Sequence, residues 1–337
     1  MSPIIPVINP ECQLPSWKNL LKTAISDPIE LLKEVGLENH SIAEKVSKNA
    51  DFKTRVPKPF IDKMVFGDPN DPLLLQVLPL KAENDLVSGY SFDPLIESRS
   101  QSPGILHKYH GRLLILLASA CAVNCRYCFR RHFPYQENAA IGENYQKAVE
   151  YIKKDSTISE VILSGGDPLI VSDHFLENLI TQLESISHIK RLRIHTRLPV
   201  VIPQRITREL SDMLASSKLR TTMVLHINHA NEIDELLASS LNNLIQANVT
   251  LLNQSVLLKG VNDNIEAICD LSESLFEIGI LPYYLHLLDK VQGAAHFDVT
   301  EKDAVALIEG ARARLPGYLM PRLAREEAGE KAKTLIA

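Results

Sequence analysis

Residues 113–128 read LLILLASACAVNCRYC, an apolar run that leads directly into Cys121, Cys125 and Cys128. A short aliphatic run of this kind is typical of a strand that is buried on both faces of a parallel sheet. The three cysteines follow it with a CxxxCxxC spacing, on the loop that leaves the strand. Three thiolates on so short a loop can bind three corners of a 4Fe-4S cluster, and the fourth iron then has no protein ligand.

An iron with an open position can bind the amino and carboxylate groups of S-adenosylmethionine (SAM), so that an electron delivered through the cluster cleaves a sulfur-carbon bond. The spacing therefore predicts a radical SAM site. The alternative is a structural zinc site in which His132 completes a Cys3His set, although zinc modules usually supply their ligands as two separated pairs. Cys12 and Cys269 stand alone in the sequence, and we expect both to be buried for packing.

The amino-acid composition limits the functional classes to which the protein can belong. The chain has 337 residues, of which 45% are hydrophobic, and its 36 basic and 41 acidic side chains give a net charge of -5. This balance gives no field that would attract nucleic acid or an anionic membrane. No basic segment followed by an apolar stretch stands at the start, and no later run approaches the length that spans a bilayer. We therefore expect a cytoplasmic protein that acts on small molecules.

Short apolar runs alternate with amphipathic segments through most of the chain. The apolar runs cover residues 113–120, 160–164, 191–196, 222–228, 249–258 and 281–288, and the helical patterns cover residues 145–154, 174–186, 207–216, 232–247, 264–278 and 301–315. Six successive βα units indicate a parallel sheet with helices outside it. An open partial barrel and a doubly wound sheet both fit this spacing, and both place chemistry at the carboxyl ends of the strands.

The pattern divides the chain into three regions. Residues 1–104 form a helical and irregular lead-in, because short helical patterns there are broken by proline. Residues 105–316 form the βα core, and residues 317–337 form a short C-terminal tail. Composition alone predicts that the tail, which contains Lys333, is charged and frayed.

Two further groups of residues lie at predicted strand ends. Ser164, Gly165, Gly166 and Asp167 directly follow the second strand, where glycines let bare backbone approach a ligand; a tight turn is the alternative interpretation. Basic residues cluster around the first strand and its loop: Lys108, Arg112, Arg126, Arg130 and Arg131. Several cations at a catalytic edge indicate an anionic cofactor or substrate, such as a carboxylate or a phosphate.

These segments together resemble the lysine 2,3-aminomutase family, and within it the short members that make β-lysine for the modification of elongation factor P. The resemblance covers nearly the whole chain. The segments that carry it are residues 107–109, 121–132, 164–169, 197–206, 226–232, 253–258 and 282–289. The resemblance implies an open (βα)6 partial TIM barrel. It also implies three cofactors, which are a 4Fe-4S cluster, SAM and pyridoxal 5'-phosphate (PLP).

The resemblance also implies roles for individual residues. Lys333 matches the lysine to which PLP is attached, and Lys108 and Arg112 match basic positions near that cofactor. Arg130 matches the arginine that binds the substrate carboxylate. Asp289 matches an acidic residue for the ε-ammonium of lysine, and Glu326 or Glu327 stands where the free-lysine enzymes have a second aspartate. Residues expected to bind SAM are Ser164, Gly165, Gly166, Asp167, His226 and Gln254.

The activity implied is an isomerisation, the shift of the amino group of L-lysine from C2 to C3. The partners implied are lysine, an electron donor of the flavodoxin or ferredoxin type, and, through its product, elongation factor P and its lysine ligase. The chain ends four residues after Lys333, which favours the elongation factor P branch. Two alternatives remain open: a 2,3-aminomutase for another amino acid, and a metal-stabilised module that binds elongation factor P without catalysis.

Overall fold

The protein, seen in a computed structural model that describes residues 15–48, 50–99, 104–135, 140 and 143–337, is built on one sheet. Its strands are β1 (Ile105–Tyr109), β2 (Arg112–Ala118), β3 (Glu160–Gly165), β4 (Arg191–Thr196), β5 (Arg220–His226), β6 (Thr250–Val256), β7 (Leu281–His286), β8 (Arg322–Arg325) and β9 (Thr334–Leu335). Neighbours in space follow the order of the chain from β1 to β9. Strands β2 to β8 are parallel, and β1 and β9 pair antiparallel at the two edges.

A helix follows each of the strands β2 to β7. These helices are α6 (Glu143–Lys154), α7 (Asp173–Glu184), α8 (Leu198–Val201), α9 (Arg208–Ser216), α10 (Glu235–Gln246), α11 (Ile265–Glu277) and α12 (Glu301–Arg312). In the part of the chain that the structure describes, no helix combines the length and apolar character needed to cross a membrane.

The strand order decides between the two architectures that the spacing left open. A doubly wound sheet reverses its strand order at a switch point. Here the order runs without reversal, and within the described ranges the two edge strands do not pair with each other. The predicted open (βα)6 partial barrel is confirmed, and the doubly wound alternative is wrong.

The predicted helices over 232–247 and 301–315 have the largest boundary errors, three residues at the start of the first and three at the end of the second. A 3-10 turn occupies Ala230–Glu232, and the α-helix begins only at Glu235, after Asp234. The Asp234 side chain accepts a hydrogen bond from the Leu237 backbone N–H at 2.7 Å, which caps the helix. The capping aspartate therefore sets the start of α10, three residues later than the hydrophobic pattern indicated.

The described part of the N-terminal region packs on the barrel and shares its hydrophobic core with the sheet. Its helices are α1 (Trp17–Lys22), α2 (Pro28–Glu34), α3 (Ile42–Lys45), α4 (Lys58–Ile61) and α5 (Pro72–Leu75). One hydrophobic cluster contains buried side chains of both regions, among them Leu31 and Phe60 of the N-terminal region with Leu113 and Leu163 of the sheet. Cys269 is buried in α11, as expected, whereas Cys12 lies outside the described residues.

The C-terminal tail is a hairpin, so the expectation of a frayed end from composition is wrong. In the register of β8 with β9, Ala324 pairs with Leu335 and Arg325 pairs with Thr334. The backbone N–H of Ile336 also donates to the Leu323 carbonyl at 2.9 Å. These bonds fix the turn between the strands, and Lys333 is the last residue of that turn.

Candidate active site

A cavity of about 450 Å³ opens at the carboxyl ends of the parallel strands. Arg126, Arg131 and Glu327, which the sequence analysis also named, are not among the residues that line it, whereas fifteen others that were assigned to cofactors or substrate are. They are Lys108, Arg112, Cys121, Cys125, Cys128, Arg130, Ser164, Gly165, Gly166, Asp167, His226, Gln254, Asp289, Glu326 and Lys333. Residues from the start, the middle and the end of the chain therefore face one space.

The cysteine loop leaves β2 and is held in place through its backbone. The Asn124 N–H donates to the Arg55 carbonyl at 3.1 Å, and the Arg126 N–H donates to the Gln76 carbonyl at 2.8 Å. All three cysteines of the loop are free thiols. Burial raises the pKa of the Cys121 thiol well above its ordinary value, and burial together with the neighbouring Cys125 raises the pKa of Cys128 to about 11. Without a metal centre these two thiols hold their protons at neutral pH.

The geometry does not support a mononuclear zinc site. Within the described ranges, no three His, Cys, Asp or Glu side chains converge closely enough to hold a single metal ion. His132 contributes nothing to the cysteine loop, because its Nε2 lies 3.2 Å from the Gln292 carbonyl and its ring packs edge-on against Phe92.

The glycines at 165 and 166 are required by the close approach of two backbone segments. A Cβ on Gly166 would lie 2.3 Å from the Ala120 carbonyl oxygen, and one on Gly165 would lie 2.7 Å from that of Ala118. Gly165 also has a φ of +121°. The turn therefore fits against the end of β2 only without side chains, while its residues also line the cavity. The interpretation as a tight turn describes this loop, and its contact with a ligand stays a prediction.

Asp167 lies at the cavity wall, but its carboxylate is occupied by protein donors. It accepts hydrogen bonds from the Thr196 hydroxyl at 2.7 Å and from the backbone N–H groups of Leu169, Arg197 and Leu198 at 2.8–3.0 Å. Burial raises the pKa of this carboxyl despite these bonds. Asp167 therefore ties the loop after β3 to the loop after β4, and its assignment to SAM stays a prediction.

Five side chains of alternating charge form a chain of ion pairs along the cavity. Arg130 donates to Glu97 at 2.6 and 3.1 Å, and Glu97 accepts from Lys108 at 2.7 Å. Lys108 contacts Glu326 at 3.1 Å, and Glu326 contacts Lys333 at 2.5 Å. Burial would raise the pKa of Glu326, but Lys333 and Lys108 outweigh it and lower the pKa to about 2. Since Lys108 is on β1 and Glu326 follows β8, this chain bridges the open side of the barrel.

Two charged residues of the cavity, Asp289 and Arg112, make no ion pair within the part of the chain that the structure describes. Burial, with a smaller effect from Glu326, raises the pKa of Asp289 to about 7. The Arg112 guanidinium stacks 4.6 Å from the centre of the Tyr109 ring. An unpaired carboxyl and an unpaired guanidinium in one cavity suit a ligand that carries charges of both signs.

Comparison with known proteins identifies the family. A profile described as the Radical SAM superfamily matches residues 115–272. The L-lysine 2,3-aminomutase of Haemophilus influenzae is 54% identical over 333 residues, which are 98% of each chain. The E. coli L-lysine 2,3-aminomutase is 51% identical, with 94% of this chain and 93% of that protein covered; for the Buchnera aphidicola protein of the same name the identity is 46% and both coverages are 95%.

The chain belongs to the L-lysine 2,3-aminomutase family. It is accordingly a radical SAM enzyme of the isomerase class. Membership of this family implies a 4Fe-4S cluster, SAM and PLP as cofactors.

The residues of the cavity fit these groups. Three free thiols on one loop suit a cluster with one open iron. The Lys333 amine shares the cavity with the Arg112 guanidinium, as a PLP site with a covalent lysine and a phosphate requires. The His195 Nε2 is buried and has no hydrogen-bond partner among the described residues, which is expected where a ligand completes a site.

Several cavity residues of this lysine 2,3-aminomutase family member were missed from the sequence, namely Glu97, Arg193, Tyr284 and His286. Arg193, Tyr284 and His286 stand at the inward positions of β4 and β7, where alternate residues face the barrel interior. A polar residue at every second position of an otherwise apolar strand is the signal that could have found them. Glu97 has no such signal, because it lies in the irregular lead-in.

Proposed function

We propose that this chain is a PLP-dependent radical enzyme that converts L-α-lysine to β-lysine by moving the amino group from C2 to C3. We further propose that this β-lysine serves the modification of elongation factor P. The observation that carries the catalytic part is a single cavity lined by the three thiols of the CxxxCxxC loop and by Lys333. Family membership supports the lysine substrate.

The cluster and SAM together, when bound, would supply the one-electron chemistry that removes a hydrogen atom from C3, and PLP would supply a conjugated ring that delocalises the unpaired electron while the amino group moves from C2 to C3. Cys121, Cys125 and Cys128 would hold the cluster. Ser164, Gly165, Gly166, Asp167, His226 and Gln254 would surround SAM, with the first four contributing a loop that lies directly beside the cysteines' strand.

Lys333 would hold PLP, and Arg112 and Lys108 would neutralise its phosphate. Glu326 accepts a hydrogen bond from Lys333 Nζ at 2.5 Å, so its Oε2 is placed to orient this amine, and its lowered pKa keeps it a carboxylate. The same carboxylate contacts Lys108, which keeps the two PLP-directed cations together.

Arg130 would bind the substrate carboxylate, and Asp289 with Glu326 would bind the ε-ammonium. A guanidinium at one end of the ligand and carboxylates at the other fix the length and the orientation of a diamino acid. Asp289 supports this assignment, because a buried carboxyl without an ion-pair partner gains most from a cationic ligand. Arg130 is held in this cavity by Glu97.

The charge of Asp289 also distinguishes lysine from the alternative substrates. A second carboxylate, as in glutamate, would be repelled by Asp289 and Glu326, whereas arginine carries a cation at its far end but is longer than lysine. Incubation of the anaerobically reduced enzyme with SAM, PLP and lysine, arginine or glutamate separately decides between them. We expect β-lysine from lysine and no β-amino acid from glutamate. Formation of another β-amino acid without β-lysine would overturn the proposed substrate.

The link to elongation factor P is tested in cells. Deletion of the gene for this chain should remove the β-lysyl addition from elongation factor P, as read from the intact mass of the purified factor, and free β-lysine in the medium should restore it. A factor whose mass is unchanged by the deletion would contradict the proposed role. A module that only binds elongation factor P would instead leave β-lysine unable to restore the modification.

A further inference from the structure

A buried arginine touches one of the three cysteines. Arg197 lies just after β4, with 6% of its surface exposed, and its Nη1 donates a hydrogen bond to Cys125 Sγ at 2.7 Å. Among the described residues, no other charged side chain donates a hydrogen bond to a sulfur of the CxxxCxxC loop. The same Nη1 contacts the Tyr127 hydroxyl at 2.5 Å. None of the roles assigned above uses Arg197.

The surroundings of Arg197 fix its guanidinium at this place. Its Nη2 donates to Gln76 at 2.7 Å and to Glu232 at 3.0 Å, and both partners are fully buried. Its backbone N–H donates to Asp167 at 2.8 Å. Glu232 is held in turn by the backbone N–H groups of Asn228 and His229. A side chain anchored from three directions keeps its charge beside Cys125.

One donor of the same guanidinium is left over. The Nε of Arg197 is buried and has no hydrogen-bond partner within the described ranges. Among the described residues, Arg131 Nε and Arg205 Nη1 are buried without partners too, so what sets Arg197 Nε apart is that its side chain lines the cofactor cavity. The guanidinium of Arg197 therefore binds Cys125 and has its Nε–H left to donate to a further acceptor, such as a sulfide of the cluster.

We propose that Arg197 is a positioning residue of the iron-sulfur centre, and that its bond to Cys125 raises the reduction potential of the cluster. The proposal rests on the cluster assigned above. Reduction adds a negative charge to the cluster and its thiolates, and a fixed cation in a dry site stabilises the more negative state. Hydrogen bonds to the sulfur ligands are among the features that set cluster potentials.

Arg205 provides a matched control, because it lies, like Arg197, in the segment between β4 and α9. It is also fully buried, and it binds Asp173 at 2.6 Å and the Leu169 carbonyl at 2.6 Å. None of its contacts involves a cysteine. Loss of Arg205 therefore reproduces the removal of a buried arginine without changing the charge beside the loop.

The test is a potentiometric titration of the anaerobically purified holoenzyme, followed by electron paramagnetic resonance of the reduced cluster. Because the hydrogen bond from this cation favours the more negative, reduced cluster, Arg197→Gln should make reduction about tenfold less favourable. For a one-electron couple a factor of ten corresponds to a potential about 59 mV lower. Arg197→Lys should restore part of the shift, and Arg205→Gln should leave the potential unchanged.

Every other outcome of these measurements also supports or overturns the proposed role of Arg197. Equal potentials in Arg197→Gln, Arg205→Gln and the wild type would overturn the proposal, as would failure of both Arg197 variants to fold, because the arginine would then be structural. A folded Arg197→Gln protein that lacks iron, beside an Arg205→Gln protein that retains it, would support the positioning of Cys125. Absence of a cluster from the wild type would refute the proposed function itself.

Discussion

Glu326 and Lys333 form an ion pair of 2.5 Å between the two ends of the turn that joins β8 to β9. The antiparallel pairing of these short strands brings the two residues together, although seven positions separate them in the sequence. Glu326 also reaches Lys108 on β1 at 3.1 Å. The residue proposed to carry PLP is therefore positioned by the last hairpin, and that hairpin is tied across the open side of the barrel to the first strand.

Replacement of Lys333 should abolish cofactor attachment without disturbing the cluster. We expect Lys333→Ala to lose the visible absorbance of protein-bound PLP and all aminomutase activity, while its iron content stays at the wild-type level. Lys331→Ala is the control, because Lys331 is exposed in the same turn. An unchanged PLP spectrum in Lys333→Ala would remove Lys333 from its proposed role.

The two adjacent glutamates are distinguished by their surroundings. Glu326 lines the cavity, whereas Glu327 is exposed and accepts a hydrogen bond from the Thr334 hydroxyl. Loss of a hydrogen bond to a charged group costs about 1.5–3 kcal/mol, so Glu326→Gln should raise KM for lysine by about tenfold or more. Glu327→Gln should leave KM near the wild-type value. Steady-state kinetics measure KM for both variants, and a larger increase in Glu327→Gln than in Glu326→Gln would contradict the assignment.

The binding of lysine should weaken below neutral pH because of Asp289. Burial raises the pKa of this carboxyl to about 7 in the ligand-free protein. Below that pH the carboxyl is protonated before lysine binds, and a neutral acid attracts the ε-ammonium less than a carboxylate does. KM for lysine should therefore increase about tenfold for each unit by which the pH falls below 7, and it should be constant above pH 7. Asp289→Asn should have a high KM without this dependence; a wild-type slope in this variant would assign the titration to another group.

The glycine turn after β3 should not tolerate a side chain. A Cβ at Gly166 would lie 2.3 Å from the Ala120 carbonyl oxygen, and backbone on both sides limits relaxation. Overpacking of this kind costs about 1–3 kcal/mol, so Gly166→Ala should lower the free energy of unfolding by that amount and weaken SAM binding. Gly317→Ala, where no atom lies within 4 Å of the added Cβ, should change neither. Thermal denaturation with equal stability for the two variants would contradict this explanation.

The sequence was sufficient to predict the six βα units, because each unit is recorded in local patterns of apolar residues. Strands β1, β8 and β9 were missed because they are short and lie at or next to the edges of the sheet, where their pairing depends on distant segments. The strand order, which decided between the two architectures, is likewise a long-range property. The cysteine loop was recognised because its three ligands lie within eight residues.

Glu97 shows what local patterns cannot reveal. Its carboxylate is buried in the cavity and holds both Arg130 and Lys108, although the segment around it was interpreted as part of an irregular lead-in. Asp93 fixes this segment through its hydrogen bonds to the backbone N–H groups of Glu97 and Ser98 at 3.0 and 2.9 Å. The position of Glu97 depends on how the lead-in crosses the barrel, which periodicity does not encode.

Electron paramagnetic resonance of the anaerobically reduced protein tests whether Cys121, Cys125 and Cys128 hold a 4Fe-4S cluster with one iron open to SAM. We predict a reduced-cluster signal that changes when SAM is added and that disappears in Cys125→Ala. A wild-type protein without an iron-sulfur signal, or with a signal that SAM leaves unchanged, would show that these cysteines do not form such a site.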